Sequence, residues 1–428
     1  MRTILNVDLE YRFNDYWSAL VQVRPEYDAV FDIENEGLGG LRQWRDKLQD
    51  NFFSNDEHMP LLREAWVQYS KDPWQIRLGR QIVTWGRTDG LVLLDVVNPL
   101  STYHFILLDY ADMKIPLWMA NINYWVGLES SIQLLWMPTK YIDAPVAPAG
   151  SQWAFNVTEL LDGPGGVHDE IRAFGGRIKQ RKPGVSFDNS EVGVKWKSKI
   201  GEADYTLNYL YVWDDLMDMR PTGMWVIPVN TPFLPSGFNT EYTYKPNRIH
   251  ILGGSWTQSF DEILGLRDLV LRMEAAYYIN DTFVRADNSA VVKKDHLDVL
   301  WGVDKYLMIK PIPLPGSSAY FISGQLVQSY MMNPQRRYST AGLDIVDKVD
   351  NYLTLLVSTS YYYERVSPDV LLVYNDDGDW WVKPKIKFQV TNQFHVTIGG
   401  NLFWGRSNDF FGEFADEDQF FLELKWGF

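Results

Sequence analysis

The chain has no cysteine among its 428 residues. That excludes disulfides, thiolate metal sites and covalently attached c-type haem. It has no apolar run of about 18 residues, so no helix is available to cross a bilayer. Positive charge is in deficit: 40 Lys and Arg stand against 55 Asp and Glu, a formal net charge of −15. Nucleic acid is therefore not an expected partner. The histidines (His58, His104, His168, His250, His296 and His395) show neither HExxH nor metal-ligand spacing. His168, Asp169 and Glu170 could hold a cation, but a solvated loop is the plainer reading. Residues 375–379 (NDDGD) resemble the start of a calcium loop, yet the later glutamate is missing and a tight acidic turn fits better. Thr397 and Ser360 do not complete a Ser/His catalytic pair. No enzyme activity, metal or cofactor is expected. Helical periodicity is scarce too; only residues 41–52 could form a short helix, inside a loop.

What the chain has in abundance is aromatic side chains: 15% of residues, with 18 Trp and 24 Tyr. Trp and Tyr favour membrane–water interfaces, where the ring is buried and the polar atom stays wet. The last nine residues show why this matters. Phe420, Leu422, Leu424, Trp426 and Phe428 fall on one face of a strand; Phe421, Glu423, Lys425 and Gly427 fall on the other. Such period-two alternation, ending on an aromatic, suits the closing strand of a membrane β-barrel, apolar to lipid and polar to the lumen. A sheet strand on a soluble core is the alternative. A mean hydropathy of −0.24 is no obstacle, because lumen-facing residues are polar.

The same pattern recurs along the chain. Residues 5–13 and 17–27 alternate about a turn at Asn14–Asp15. Further hairpins are expected at 61–70 with 74–85, 117–126 with 131–137, 191–200 with 204–213, 247–258 with 269–279, and 296–307 with 320–330. The last group is 352–363, 369–374, 381–390, 394–404 and 419–428. Short turns alternate with long loops at 31–60, 86–116, 138–190, 214–246, 280–295 and 331–351. This is the rhythm of bacterial barrels, whose short turns are periplasmic and long loops extracellular. The expected fold is one domain over residues 1–428: an all-β, large antiparallel transmembrane β-barrel of about 16–18 strands, with long extracellular loops and an inward-folded loop. The location implied is the bacterial outer membrane.

The candidate site is the lumen wall. In strand 381–390, Lys383, Lys385, Lys387 and Gln389 should point in, with Val382, Pro384, Ile386, Phe388 and Val390 pointing to lipid. Lys425 on the closing strand, and Lys195 and Lys197 elsewhere, extend the positive set. Asp8, Glu10, Glu26, Asp28, Glu64, Glu274, Asp298 and Asp304 oppose it. Mutual neutralisation across a wet lumen is one reading; a charged constriction that selects solutes by sign is the other.

Between Leu61 and Trp153 there is more than alternation. The ordered pieces are LREAWV (62–67), RLGRQIVTWG (77–86), DVVNP (95–99), KIPLWM (114–119), LLWMP (134–138) and APAGSQW (147–153). This series resembles a bacterial outer-membrane β-barrel family of unknown function with an LGRQ-x-x-x-WG strand motif, more distantly similar to alginate-export-type porins. The resemblance implies outer-membrane transport, in some members beside lipid- or steroid-handling export components. In this stretch Trp74, Ile76, Leu78 and Ile82 should face lipid, and Gln75, Arg77, Gly79, Gln81 and Trp85 should face inward. Gly79 should leave room for an incoming loop that Arg77 and Gln81 hold by hydrogen bonds. Arg80 breaks the alternation, as at a bulge or as an outward Arg at a lipid headgroup. Residues 90–99 are too apolar for an exposed loop. They should fold inward and partly plug the pore, or else pack on the outer rim.

The function expected is an outer-membrane channel or transporter. A conduit for a hydrophobic molecule would suit inner aromatics at Trp85, Trp125 and Phe403. The alternative class is a non-conducting scaffold, adhesin or sheath around a partner protein. Expected partners are outer-membrane lipid, barrel-assembly machinery through Phe420 to Phe428, and transport components. The strand count is seventeen, which places Met1 at the outer face. Single-chain bacterial barrels have an even number. One upstream strand and a signal peptide would repair this and give eighteen; removing the short 369–374 would give sixteen.

Overall fold

Side chains that alternate apolar and polar make a strand whose two faces suit two solvents, and this chain uses that device from end to end. The computed structural model describes residues 2–28, 61–86, 91–102, 104–138, 142, 177–215, 218–226, 238–263, 265–285, 291–308, 314–332, 338–339, 345–346, 348–407 and 409–428. Its main sheet is a β-barrel. The barrel strands among the described residues are β1 (Val7–Arg12), β2 (Trp17–Val23), β3 (Leu62–Lys71), β4 (Trp74–Gln81), β5 (Leu117–Val126), β6 (Ser130–Met137), β7 (Glu191–Ile200), β8 (Ala203–Trp213), β9 (Arg248–Ile263), β10 (Leu266–Arg285), β11 (Val291–Leu307), β12 (Tyr320–Met331), β13 (Val349–Ser358), β14 (Val366–Asn375), β15 (Trp380–Gln389), β16 (Phe394–Trp404) and β17 (Gln419–Trp426). Each pairs antiparallel with its sequence neighbour, from β1–β2 to β16–β17.

The outer face is apolar. Leu9, Leu78, Leu134, Leu207, Leu252, Leu353, Ile386, Ile398 and Leu422 are all exposed on it. Aromatic pairs gather beside the short turns: Trp17–Tyr69 at 5.1 Å, Trp74–Tyr124 at 4.6 Å, Tyr306–Phe321 at 5.1 Å and Phe394–Trp426 at 5.7 Å. Tyr374–Trp380 at 4.4 Å and the exposed Trp404 mark the other end. From Phe394 to Trp404, ten steps of about 3.3 Å, tilted by about 40°, give a height of roughly 25 Å, the apolar band of a transmembrane barrel.

The short turns are built locally. Asn14 Oδ1 accepts the N–H groups of Tyr16 (2.9 Å) and Trp17 (3.0 Å), an Asx turn that reverses the chain. Gly127 and Gly201 sit at φ +75° and +64°, with open space where a Cβ would stand, so left-handed backbone alone calls for glycine there.

Several expectations need correction. Strands β9, β10 and β11 run to 16, 20 and 17 residues, into the turn expected between 258 and 269 and the loop expected at 280–295. Their extensions carry Asp261, Glu262 and Asp281, so the ladder continues after the apolar alternation has stopped. The expected loop 214–246 contains an antiparallel pair, Asp218–Val226 with Phe238–Lys245, to which Arg177–Gln180 adds in parallel. Within 331–351, Tyr338–Ser339 pairs with Ile345–Val346 and with the end of β10. Arg2–Ile4 pairs with Glu26–Asp28 beyond the barrel wall. Strand 369–374, the one proposed for removal, is a full ten-residue β14 paired on both sides. The candidate helix 41–52, and His58 and His168, lie outside the described residues.

Candidate functional site: a segment folded into the lumen

Strand β4 stops at Gln81, and the chain leaves the wall until β5 begins at Leu117. The described parts of this excursion are a near limb (residues 83–86 and 91–97) and a far limb (residues 100–102 and 104–113). Asn98 closes its base. The Asn98 side chain accepts the Val83 N–H (2.8 Å) and donates to the carbonyls of Ile115 (2.8 Å) and Gln81 (3.3 Å). Above it, Asp95 accepts the Trp85 N–H (3.0 Å) and pairs with Lys114, which also donates to Thr84 Oγ1 (2.9 Å). Asp95 and Lys114 are both buried. Burial pushes the Asp95 carboxyl upward, and Lys114 and the Trp85 N–H oppose that shift. The Tyr110 hydroxyl donates to the Asp95 carbonyl (3.2 Å); burial raises its pKa, as do the negative charges of Asp95 and Glu274.

The near limb is seated by apolar packing. Val83, Trp85, Leu93, Leu94 and Val97 share one core with the wall residues Leu135, Leu210, Ile249, Ile251, Ala276 and Leu300. Glycine makes the seat. A Cβ on Gly253 would lie 2.5 Å from Leu94 Cδ2, and one on Gly193 would lie 3.0 Å from the Trp85 ring. Backbone N–H groups entering the lumen find acceptors on the wall: Leu94 donates to Glu274 (3.2 Å) and Leu91 to Gln325 (3.2 Å). Buried amides of this kind must be paired.

The far limb is seated differently. Phe105 is fully buried among Phe414 (4.2 Å), Phe410 (5.7 Å) and Phe403 (5.8 Å). Lys383 on β15 donates to the Leu107 carbonyl at 3.4 Å. A single helical turn, α1 (Tyr110–Met113), presents the Ala111 carbonyl to Arg63 (2.7 Å) and Asp112 to Arg24 (2.7 Å). His104 lies 3.5 Å from Glu26, which also holds Arg2. Burial would raise Glu26, but His104 and Arg2 outweigh it and bring its pKa down to about 2. The segment thus touches three sectors of the ring: β2–β3, β6–β12 and β15–β16.

The residues singled out from sequence divide sharply. Arg77 is on the inner wall, but it donates to Gln68 (2.7 and 2.9 Å) and covers the Trp66 ring at 4.0 Å. The Gln81 side chain bonds Met119 O and Asn121. Both side chains thus serve the wall, and Gln81 holds the segment through its backbone carbonyl, which accepts from Asn98. Gly79 makes room for its own wall, since a Cβ there would meet the Ala65 carbonyl at 2.2 Å, not the incoming loop. Arg80 is fully buried, not an outward headgroup ligand. Trp85 belongs to the segment itself; it donates to Gln133 (2.8 Å) and lies under Lys195, 5.6 Å away. Phe403 is covered by Phe105, while Trp125 keeps 38% of its surface exposed. Lys383 touches the segment, Lys385 stands 3.8 Å from Asp369, and Lys387 is exposed farther along the same face. Asp8 accepts from Gln22 (2.8 Å); Glu10, Lys197 and Lys425 are exposed. Of the expected acidic set, Glu274 serves Leu94, Glu64 accepts from Ile82 N (3.3 Å) and Asp304 pairs with Arg272.

A second inward loop has no counterpart in the alternation pattern. Between β16 and β17, Phe410, Phe411 and Phe414 turn into the barrel and meet Phe105 and Trp381. Asp379 fastens it by accepting the Phe411 N–H (2.6 Å). The cluster of phenylalanines in an expected loop, FFGEF, is the signal that could have found it. Residues 375–379 form a tight turn, with Gly378 N–H on the Asn375 carbonyl (2.9 Å) and Asp377 N–H on Asn375 Oδ1 (2.9 Å).

A family model described as a protein of unknown function, DUF1302, matches residues 1–428. The chain belongs to that family. No curated protein matches it. Among solved structures, this DUF1302 chain is similar to DcaP, an outer membrane channel of Acinetobacter baumannii, at 9% identity over 90% of this chain and 79% of that one, with a TM-score of 0.40. It is similar to a porin at 10% identity, over 90% and 91%, with a TM-score of 0.40. It is also similar to OmpT, an outer membrane protein of Vibrio cholerae, at 9% identity over 94% and 79%, with a TM-score of 0.30.

Proposed function

We propose that this protein is an outer-membrane channel or transporter whose lumen is narrowed by residues 83–86, 91–102 and 104–115. The observation that carries the reading is the crossing of the lumen. Leu94 rests on β9 and β10, Phe105 rests on β16, and Asp112 reaches Arg24 beside β2. A loop held on three sectors of the ring restricts passage without sealing the barrel's polar inner wall. Solutes would pass along the inner faces that carry Arg77, Lys195, Lys197, Lys383, Lys385, Lys387, Lys425, Asp8 and Glu10. The long loops would face the exterior, the Phe420 to Phe428 strand would serve the assembly machinery, and the exposed apolar face would meet outer-membrane lipid. The solute is one that tolerates both charge and aromatic surface.

Single-channel recording in planar bilayers tests this. Deleting residues 91–97 should raise conductance in a protein whose heat-modifiable gel mobility shows it folded. Unchanged conductance in that folded protein would place the segment outside the conducting path. No conductance from either form would favour the non-conducting scaffold.

A further inference from the structure

Between the near limb and the wall lies a chamber of about 220 Å³, bounded by Val97, Leu117, Val212, Ile249, Ile251 and Tyr278. It is larger than the engineered cavity of about 150 Å³ that holds benzene. Its apolar walls can therefore accept a body the size of a small arene. Four carboxylates also line it: Glu191, Asp214, Asp215 and Asp281. Register puts them on the long-loop side of the apolar floor. Asp214 donates its N–H to Asn247 O, Glu191 is the first residue of β7, and Asp281 follows the bulge in β10. Glu191 uses one oxygen to accept the Trp213 N–H (2.7 Å). His296 faces Asp281 at 3.2 Å, and Arg248 covers the Trp213 ring at 4.0 Å. The Tyr278 hydroxyl, stacked by its ring on His296, has no hydrogen-bond partner among the described residues and can turn toward a ligand.

We infer that this chamber is a binding site for an amphipathic amine, with the apolar body against Val97, Val212 and Ile251 and the ammonium beside Glu191. Carboxylates accept hydrogen bonds and repel anions, so a donor with positive charge matches the acidic side and a carboxylate ligand does not. An apolar body with one charged head also matches a pocket whose specificity comes from a few polar groups on a hydrophobic lining. The inference rests on the channel reading only for the route by which the ligand arrives. Binding itself needs no conduction.

Calorimetry on the detergent-folded full chain separates the two. The probes are 3-phenylpropylamine, 3-phenylpropanol and 3-phenylpropanoate, which share a body and differ in the head. The amine should bind at least tenfold more tightly than the alcohol, and the carboxylate should bind least. Glu191→Gln, which keeps an acceptor for the Trp213 N–H, should weaken the amine at least tenfold and leave the alcohol unchanged. Ile251→Trp should fill the chamber and abolish binding of all three. Equal affinity for the three heads, or no amine binding to the folded wild-type chain, would overturn the inference, and would do so whether or not the protein conducts. If Glu191→Gln fails to fold, the comparison of heads on the wild-type chain still decides.

Discussion

The two limbs of the lumen segment are seated by different physics. The near limb is an extension of the core: Trp85, Leu93, Leu94 and Val97 displace water from wall residues that are themselves apolar, and glycines at 193 and 253 let them come close. Its ion pair, Asp95–Lys114, is buried and ties it to the chain just past α1. The far limb hangs from a phenylalanine cluster, from Lys383 on the inner wall, and from groups at the rim: Arg24, Arg63 and Glu26. Apolar contact does not respond to pH or salt in the way rim charges do. The contrast implies a firm half and an adjustable half of one obstruction.

The sharpest attempt to break that contrast is Lys114→Met. It leaves Asp95 buried with the Trp85 N–H as its remaining partner, at a cost of roughly 3–5 kcal/mol. Amide hydrogen exchange at Trp85 and Val83 should accelerate while α1 changes less. Equal acceleration in both limbs would show that they open as one unit. Phe105→Ala should cost about 3 kcal/mol and free the far limb. Limited proteolysis near residues 104–109 should then speed up, with the near limb still protected.

Acid supplies a third test. Glu26 has its pKa brought down to about 2, below its ordinary value of 4.5. A carboxylate lowered on folding stabilises above the unfolded pKa and loses that contribution as pH falls through the folded one. The far limb should loosen between about pH 4.5 and 2, by roughly 2 kcal/mol after allowance for solvent. Conductance should rise over that window, and Glu26→Gln should flatten the response. A rise that persists in Glu26→Gln would assign it to another group. The smallest effect is expected from Arg24→Ala. Its partner Asp112 keeps 43% of its side chain exposed, so the pair is worth less than about 1 kcal/mol. Raising salt to about 1 M should mimic the substitution, because the screening length there is about 3 Å.

Sequence patterning served the wall better than the segment. The described barrel strands all lie where alternation placed them, because the period of two repeats wherever one face meets lipid. Their ends were less visible. Strands β9 to β11 continue through polar residues such as Glu262 and Asp281, where the backbone ladder is joined by the Arg267–Glu262 contact and by packing of Phe283 with Met331 and Val292. The inward fold of residues 91–99 showed in their composition, because Leu91 to Val97 are too apolar for water. The partners did not show. Arg77 and Gln81 are close in sequence and rich in donors, which made them the natural candidates to hold the loop. The side chains of Asn98, Glu274 and Gln325 do so instead, the last two from strands nearly two hundred residues or more away, and Gln81 contributes only its backbone carbonyl.

Alternation, aromatic abundance and the terminal FFLELKWGF were enough to determine a barrel with an apolar outside, since those features are local and repeat with the backbone's own period. Which glycine receives Leu94, which phenylalanines enclose Phe105, and which carboxylates line the chamber beside Val97 were decided only when the ring brought distant strands together. Contacts across a lumen have no sequence period, because they depend on where the inserted segment comes to rest and which wall residues can satisfy its buried N–H groups.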